Sequence, residues 1–159
     1  MLNQENTYEV EIFDPTKRSW EDIKEQIISI EHEAFGDKSF SDEDLSNDFQ
    51  NVNNVVVLLK DSNNILGFVY AEPANKEETA LICDIVIEKK SRQKHLAGIL
   101  MDSLEEELKK RKYKYIEMDA AVANNFAENI SKQYKSRIVE QGEPHDSIWG
   151  KQVFFRIKL

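Results

Sequence analysis

IEKKSRQKHLAGIL, residues 87–100, leaves an apolar run, passes through a basic turn and enters an amphipathic repeat. Upstream, residues 79–88 (TALICDIVIE) are almost continuously apolar, as expected of a central strand covered on both faces. Downstream, Leu96, Ile99, Leu100, Leu104 and Leu108 recur at i, i+3, i+4, i+8 and i+12, the stripe of a long helix. The basic residues 109–112 then sit where the helix macrodipole favours positive charge. Residues 113–119 read as the next strand. Strand, crossover helix and strand make a βαβ unit whose two strands are expected to be parallel and adjacent. Lys89, Lys90, Arg92 and Lys94 crowd its first turn. Free N–H groups at a helix start, the positive end of the dipole and nearby cations together make a phosphate cradle. The dipole supplies only about 0.3–1 kcal/mol per charge and a charge-assisted hydrogen bond about 1.5–3 kcal/mol, so several donors must converge. Charge alone describes a solvated basic turn equally well.

Outward from this unit, residues 8–13 alternate apolar and acidic positions as a half-buried strand does, closed by Asp14-Pro15. Ser19 with Asp22 starts a helix carrying Trp20, Ile23, Ile27, Ile30 and Ala34 at helical spacing until Gly36. Ser41 with Asp44 starts a second, of about two turns, with Leu45 and Phe49 on one face. VVVLLK, DSNN and ILGFVYAEP read as a hairpin. A helix near residues 124–135 and strands near 137–141 and 152–158 complete the order β-α-α-β-β-β-α-β-α-β-β.

The 159 residues, 40% hydrophobic and 32% charged, fit a single domain over residues 1–159 without repeat or linker. A net charge of −9 repels nucleic acid and anionic membranes, so neither is an expected partner. Cys83 is a lone cysteine, and His32, His95 and His145 lie far apart, so neither an intramolecular disulfide nor a metal cluster is expected. The start, MLNQENTYEVEIF, lacks the basic-then-apolar pattern of a leader, and no run approaches the roughly 18 apolar residues of a membrane span. A soluble cytoplasmic protein is expected.

Arg92-Gln93-Lys94-His95-Leu96-Ala97, preceded by Ile87-Glu88-Lys89, resembles the Gln/Arg-x-x-Gly-x-Gly/Ala signature of the GCN5-related N-acetyltransferases, and the order of elements resembles theirs over nearly the whole chain. The resemblance implies an α/β fold with a mixed, mainly antiparallel central sheet, one parallel βαβ unit and flanking helices. It also implies acetyl-CoA as cosubstrate, with Ile85, Val86 and Ile87 along the pantetheine arm. Arg92, Gln93, Lys94, His95, Leu96 and Ala97 would then lie at the pyrophosphate, with Gly98 a further cofactor-binding residue. His95 departs from the signature, standing at its first glycine.

Ile30-Glu31-His32-Glu33-Ala34-Phe35 followed by FSDEDLSNDF is similar to a segment of the ribosomal-protein alanine N-acetyltransferase subgroup, and Ile116-Glu117-Met118-Asp119 resembles its L-E-V-R strand. By that match Glu117 is the candidate general base; an outward-facing strand carboxylate is the plainer reading. Asn124-Asn125-Phe126-Ala127 resembles N-x-x-A, which implies a cofactor contact for Asn124. The expected tyrosine register falls on Ser131, so Tyr134, one turn on, becomes the candidate acid for the leaving thiolate, with packing as its alternative role. Lys135-Ser136 stands where Gly-Phe is usual. Asp84 and Glu33 are lesser base candidates, and Cys83 reads as a small buried hydrophobe.

The implied activity is direct transfer of acetyl from acetyl-CoA to a primary amine, at a peptide or protein N-terminus or on a small cationic amine. An α-amine, with pKa about 7.7–8.0, needs less help in losing its proton at neutral pH than a lysine amine near 10.4. A degenerate, non-catalytic acyl-CoA-binding module is the alternative, suggested by His95, Ser131 and the missing Gly-Phe. A second copy of the chain, as a homodimer, is a further partner the sequence allows.

Overall fold

The computed structural model describes residues 8–159; residues 1–7, the first part of the segment compared with a leader, lie outside the described residues. The chain divides into two compact units, one of residues up to Tyr70 with Asp84–Leu104, the other of Ala71–Cys83 with Glu105–Leu159.

In the first unit, β1 (Tyr8–Ile12) pairs antiparallel with β2 (Val55–Asp61). A turn through Ser62, at φ 55°, leads to β3 (Asn64–Pro73), the neighbour of β4 (Thr79–Ile87). The Ser19 hydroxyl accepts the Glu21 N–H and opens a 3-10 turn over Trp20–Asp22. The regular helix α1 (Lys24–Phe35) follows it, so the expected first helix is two pieces, divided at Ile23 where φ is −120°. Ser41 accepts the Asp44 N–H at 3.1 Å and starts α2 (Asp42–Gln50) as the Ser-x-x-Asp spacing predicts. Phe49 on α2 meets Trp20, Tyr70 and Phe68 at ring distances of 5.0, 5.3 and 5.5 Å. Burying each such ring contributes about 1.5–3 kcal/mol and each tilted pair about 0.5–1.5 kcal/mol more, which explains how a short acidic helix is held. The Tyr70 hydroxyl donates to Asp48 Oδ2 at 3.0 Å.

The second unit is built on β5 (Tyr115–Ala121). It runs parallel to β4 through Thr79↔Tyr115 and Leu81↔Glu117, as the βαβ reading requires. The crossover helix α3 (Leu96–Lys110) closes through Lys112, at φ 72°, with Tyr113 N–H on the Leu108 carbonyl at 3.0 Å. That cap consumes two residues of the expected strand, so β5 begins at Tyr115. Beyond α4 (Phe126–Gln133) come β6 (Ile138–Gln141), β7 (His145–Ser147) and β8 (Gly150–Lys158). Here the order is β4-β5-β8-β6, with β7 on β8. Mainly antiparallel pairing, a single parallel pair among the described strands and flanking helices make the expected α/β architecture.

Two expectations fail. β7 was not anticipated, and β4 is not covered on both faces. Its burial alternates, with Ala80, Ile82, Asp84 and Val86 buried and Leu81, Cys83, Ile85 and Ile87 only half-buried. Among the described residues no helix is long and apolar enough to cross a membrane.

Candidate active site

In the first unit, a Cβ at Gly67 would stand 2.5 Å from the Val86 carbonyl oxygen and 2.7 Å from Ile87 Cδ1, so only glycine lets β3 approach the end of β4 this closely. Glu88 N–H donates to the Leu66 carbonyl at 2.7 Å, ending the strand. A 3-10 turn over Lys89–Ser91 follows, fixed by Lys89 N–H on Glu33 at 3.2 Å and by Ser91 Oγ on Glu88 at 2.7 Å. Glu33 therefore holds the turn. Arg92 Nε donates to the Ile87 carbonyl at 3.0 Å, which folds this cation back over the strand end.

The backbone then alternates in hand. Arg92 is extended at φ −69°, Gln93 is left-handed at 66°, Lys94 is not left-handed, and His95 is left-handed at 59°. The turn is thus left-handed at two positions two residues apart, Gln93 and His95. It leads directly into the N-terminus of α3, where Leu96 is buried, Ala97 and Gly98 are half-buried, and a Cβ at Gly98 would meet nothing within 4 Å. Arg92, Gln93, Lys94 and His95 are exposed. Exposed Arg92 and Lys94 thus flank the start of α3. An open cavity of about 540 Å³ lies beside the turn, but its wall carries Glu25, Asp61 and Glu88 with Lys90 and Lys94, so its field does not single out an anion.

The left-handed φ explains why glycine suits the position of His95. A left-handed backbone costs a side-chain-bearing residue about 1–2 kcal/mol, against about 0.5–1 kcal/mol for the extra freedom glycine loses on folding. His95→Gly is therefore expected to leave unfolding free energy unchanged or raise it by up to about 1 kcal/mol, measured by denaturant titration. A clear loss would mean that the imidazole makes a stabilising contact.

β4 also carries Asp84, 8% exposed, against Glu31 of α1, 1% exposed. Glu31 Oε1 accepts the Phe40 N–H at 3.0 Å, whereas Glu31 Oε2 and Asp84 Oδ2 are buried without other hydrogen-bond partners. Burial first, and then the hydrogen bond and charge of Glu31, push the Asp84 carboxyl up to about 10. Glu31 was not connected with Asp84, because neither the helical spacing of its segment nor the family resemblance of residues 30–35 points to β4.

In the second unit, Glu117 of β5 lies opposite Arg156 of β8. Arg156 donates to its Oε1 at 2.6 Å and Lys76 stands 3.1 Å from the same oxygen, leaving the Glu117 side chain 11% exposed. Neither cation was anticipated. Lys76 comes from the loop between β3 and β4, where no motif marks it. Tyr134, at the end of α4, is 2% exposed with its hydroxyl buried, and the Arg137 guanidinium covers its ring at 4.9 Å. Ser131 is half-buried on the same helix. Asn124 is exposed and left-handed at φ 58°, followed by Asn125 at 60°, a conformation asparagine tolerates better than most residues. Among the described residues no cluster of His, Cys, Asp and Glu is gathered for a metal ion.

No curated protein matches the sequence. Among solved structures, the ribosomal-protein-S18-alanine N-acetyltransferase of Escherichia coli superposes with a TM-score of 0.69 at 14% identity, over 96% of this chain and 93% of that one. The ribosomal-protein-alanine N-acetyltransferase of Brucella melitensis gives 0.72 at 13% identity over 95% and 99%. The PaiA N-acetyltransferase of Thermoplasma acidophilum, solved with coenzyme A, gives 0.67 at 17% over 96% and 99%. At these identities they show a shared fold. The acetyltransferase (GNAT) family profile, however, matches residues 20–131, through the basic turn and both strands of the βαβ unit, and the chain accordingly belongs to that family of acetyl-CoA-dependent N-acyltransferases.

Proposed function

We propose that the chain, as one domain over residues 1–159, transfers the acetyl group of acetyl-CoA to a primary amine by direct attack. The observation that carries this is the basic turn at residues 92–95, left-handed at Gln93 and His95, running directly into the N-terminus of α3. Arg92, Gln93, Lys94, His95, Leu96 and Ala97 would hold the pyrophosphate, Ile85, Val86 and Ile87 the pantetheine arm, and Gly98 and Asn124 further parts of the cofactor. The thioester supplies an acyl carbon: a C–N bond forms, the C–S bond breaks, and the departing sulfur takes a proton. Glu117 accepts the proton that an incoming ammonium must lose, after exchanging part of its contact with Lys76 or Arg156. Tyr134 donates to the thiolate if its buried hydroxyl is reached. An α-amine of a peptide or a small amine arrives protonated, which suits a chain of net charge −9. The coenzyme A complex of the Thermoplasma protein supports the same cosubstrate for this fold.

Acetyl-CoA at a hundredfold excess over Kd is expected to stabilise the folded chain by about 2.7 kcal/mol, read as a rise in Tm. Arg92→Glu should weaken that effect at low salt by setting a carboxylate against phosphate oxygens. No shift at millimolar acetyl-CoA would overturn the cradle. The burial of Tyr134 and the double pairing of Glu117 also suit a module that binds acyl-CoA without turnover. Thiol release with a panel of amines decides between the two.

A further inference from the structure

β5 and β8 pair antiparallel, and alternate residues share a face. Ile116, Met118 and Ala120, with Val153, Phe155 and Ile157, form the buried face. The opposite face bears Tyr115, Glu117 and Asp119 from β5 and Phe154 and Arg156 from β8, and all but Glu117 are half-buried or exposed. On it, Arg156 is held from two sides. One nitrogen binds Glu117 at 2.6 Å, and the flat guanidinium lies on the Tyr115 ring at 4.2 Å. Lys76 joins the same carboxylate at 3.1 Å and stands 5.9 Å from the centre of the Phe154 ring.

Two cations thus share one carboxylate, a local excess of positive charge in a chain of net −9. Other acids do not cancel it among the described residues. Asp119 faces His145 at 3.5 Å, and Glu140, which lies opposite Arg156 on β6, is exposed and makes no ion pair with it. A guanidinium has five N–H donors in a rigid fork, and one pinned by stacking and by a first carboxylate is pre-organised for a second. On this face Glu117 can receive an ammonium while Arg156 and Lys76 receive an anion beside it.

Resting on the transferase reading above, we infer that the acceptor is an amine that also carries a carboxylate, of the amino-acid type, with its amine at Glu117, its carboxylate at Arg156 and Lys76, and its carbon skeleton along Phe154. The overall negative charge draws the ammonium; the local cations select the acid.

The test is a panel of amino acids, each paired with its own amide, in a thiol-release assay with acetyl-CoA. The free acids are expected to show kcat/KM about tenfold or more above their amides, as one charge-assisted contact allows. Lys76→Gln, a change at an exposed side chain, should raise KM for the acids about fivefold to tenfold more than it changes KM for the amides. Arg156→Lys keeps the charge but loses the fork, and should reduce the acid preference without abolishing folding. Amides or simple amines turned over as well as the acids would overturn the carboxylate inference while leaving the transferase reading standing. Absence of thiol release with every amine would instead overturn that reading. In that event calorimetry with N-acetyl amino acids against their amides, in the presence of coenzyme A, decides the inference alone: tighter binding of the acids that is lost in Lys76→Gln supports it, and equal or absent binding overturns it.

Discussion

Replacing Glu117 by glutamine is expected to lower kcat by about 10²–10⁴-fold near neutral pH while leaving acetyl-CoA affinity unchanged. Glutamine keeps the shape of the side chain and can still accept from Arg156, but it cannot take a proton. The size of the loss should follow the acceptor. At pH 7 roughly a tenth of an α-amine with pKa near 8 is already neutral, whereas a lysine amine near 10.4 is neutral to less than one part in a thousand. The deficit should therefore shrink as pH rises toward the amine pKa, and shrink at lower pH for an α-amine than for lysine. A purely structural Glu117 gives a different pattern. Its carboxylate offsets one of the two charges of Lys76 and Arg156 with only 11% of its side chain exposed, so losing it enlarges a partly buried positive excess. Tm would then fall, kcat would change little at saturating acceptor, and no pH dependence would separate variant from parent. Measuring Tm, kcat and its pH profile on the same variant distinguishes the two. Tyr134→Phe, at a hydroxyl already buried, is the smaller companion experiment, with a kcat loss at constant KM if that hydroxyl donates to sulfur.

The strand, turn and helix of residues 87–100 were legible because their signals are local. β-branched residues gave way to a cluster of cations and then to leucines at helical spacing, and the parallel pairing of β4 with β5 followed from crossover geometry. The hand of the backbone at His95 was not legible, since a side chain at a glycine position suggested crowding or an added donor rather than a left-handed turn. β7 was invisible for another reason. His145–Ser147 is short and polar, and it exists because β8 offers it an edge through a turn closed by Ser147 Oγ and by Gly150 at φ 96°. The continuous apolar letters of β4 hid an alternation in burial, because half-buried Leu81, Ile85 and Ile87 read the same as buried Ile82 and Val86. Lys76 and Arg156 could not be connected with Glu117 from spacing, since a loop and a cross-strand register bring them there. The placement of the Arg92 to Gly98 turn was thus readable, while the charge environment of the proposed base depended on tertiary pairing.

Asp84→Asn is expected to abolish most of a steep decline in stability between about pH 4 and pH 10. In the folded chain the Asp84 carboxyl is pushed far above its ordinary value, to about 10, chiefly by burial and then by its hydrogen bond with, and the charge of, Glu31. In the unfolded chain it ionises near 4. A carboxyl raised on folding contributes stability that is fully present below the unfolded pKa. That contribution is lost progressively as pH rises, because folding must then draw a proton from solution, until the folded pKa is passed. The limiting slope is about 1.4 kcal/mol per pH unit, so the interval from pH 5 to pH 8 alone spans about 4 kcal/mol if the proton stays fully on the pair. Sharing that proton is what reconciles two buried oxygens, Glu31 Oε2 and Asp84 Oδ2, that otherwise lack partners. The asparagine amide supplies an N–H to Glu31 at every pH, so the variant keeps the link between α1 and β4 without taking up a proton. It should gain on the parent as pH rises and be the more stable protein at pH 8. Because the other carboxylates titrate in both proteins, the quantity to measure is the difference between their unfolding free energies from pH 5 to pH 9. A difference independent of pH would show that Asp84 is ionised beside Glu31 in the folded chain. The two charges would then need a compensating cation, which among the described residues neither makes in an ion pair.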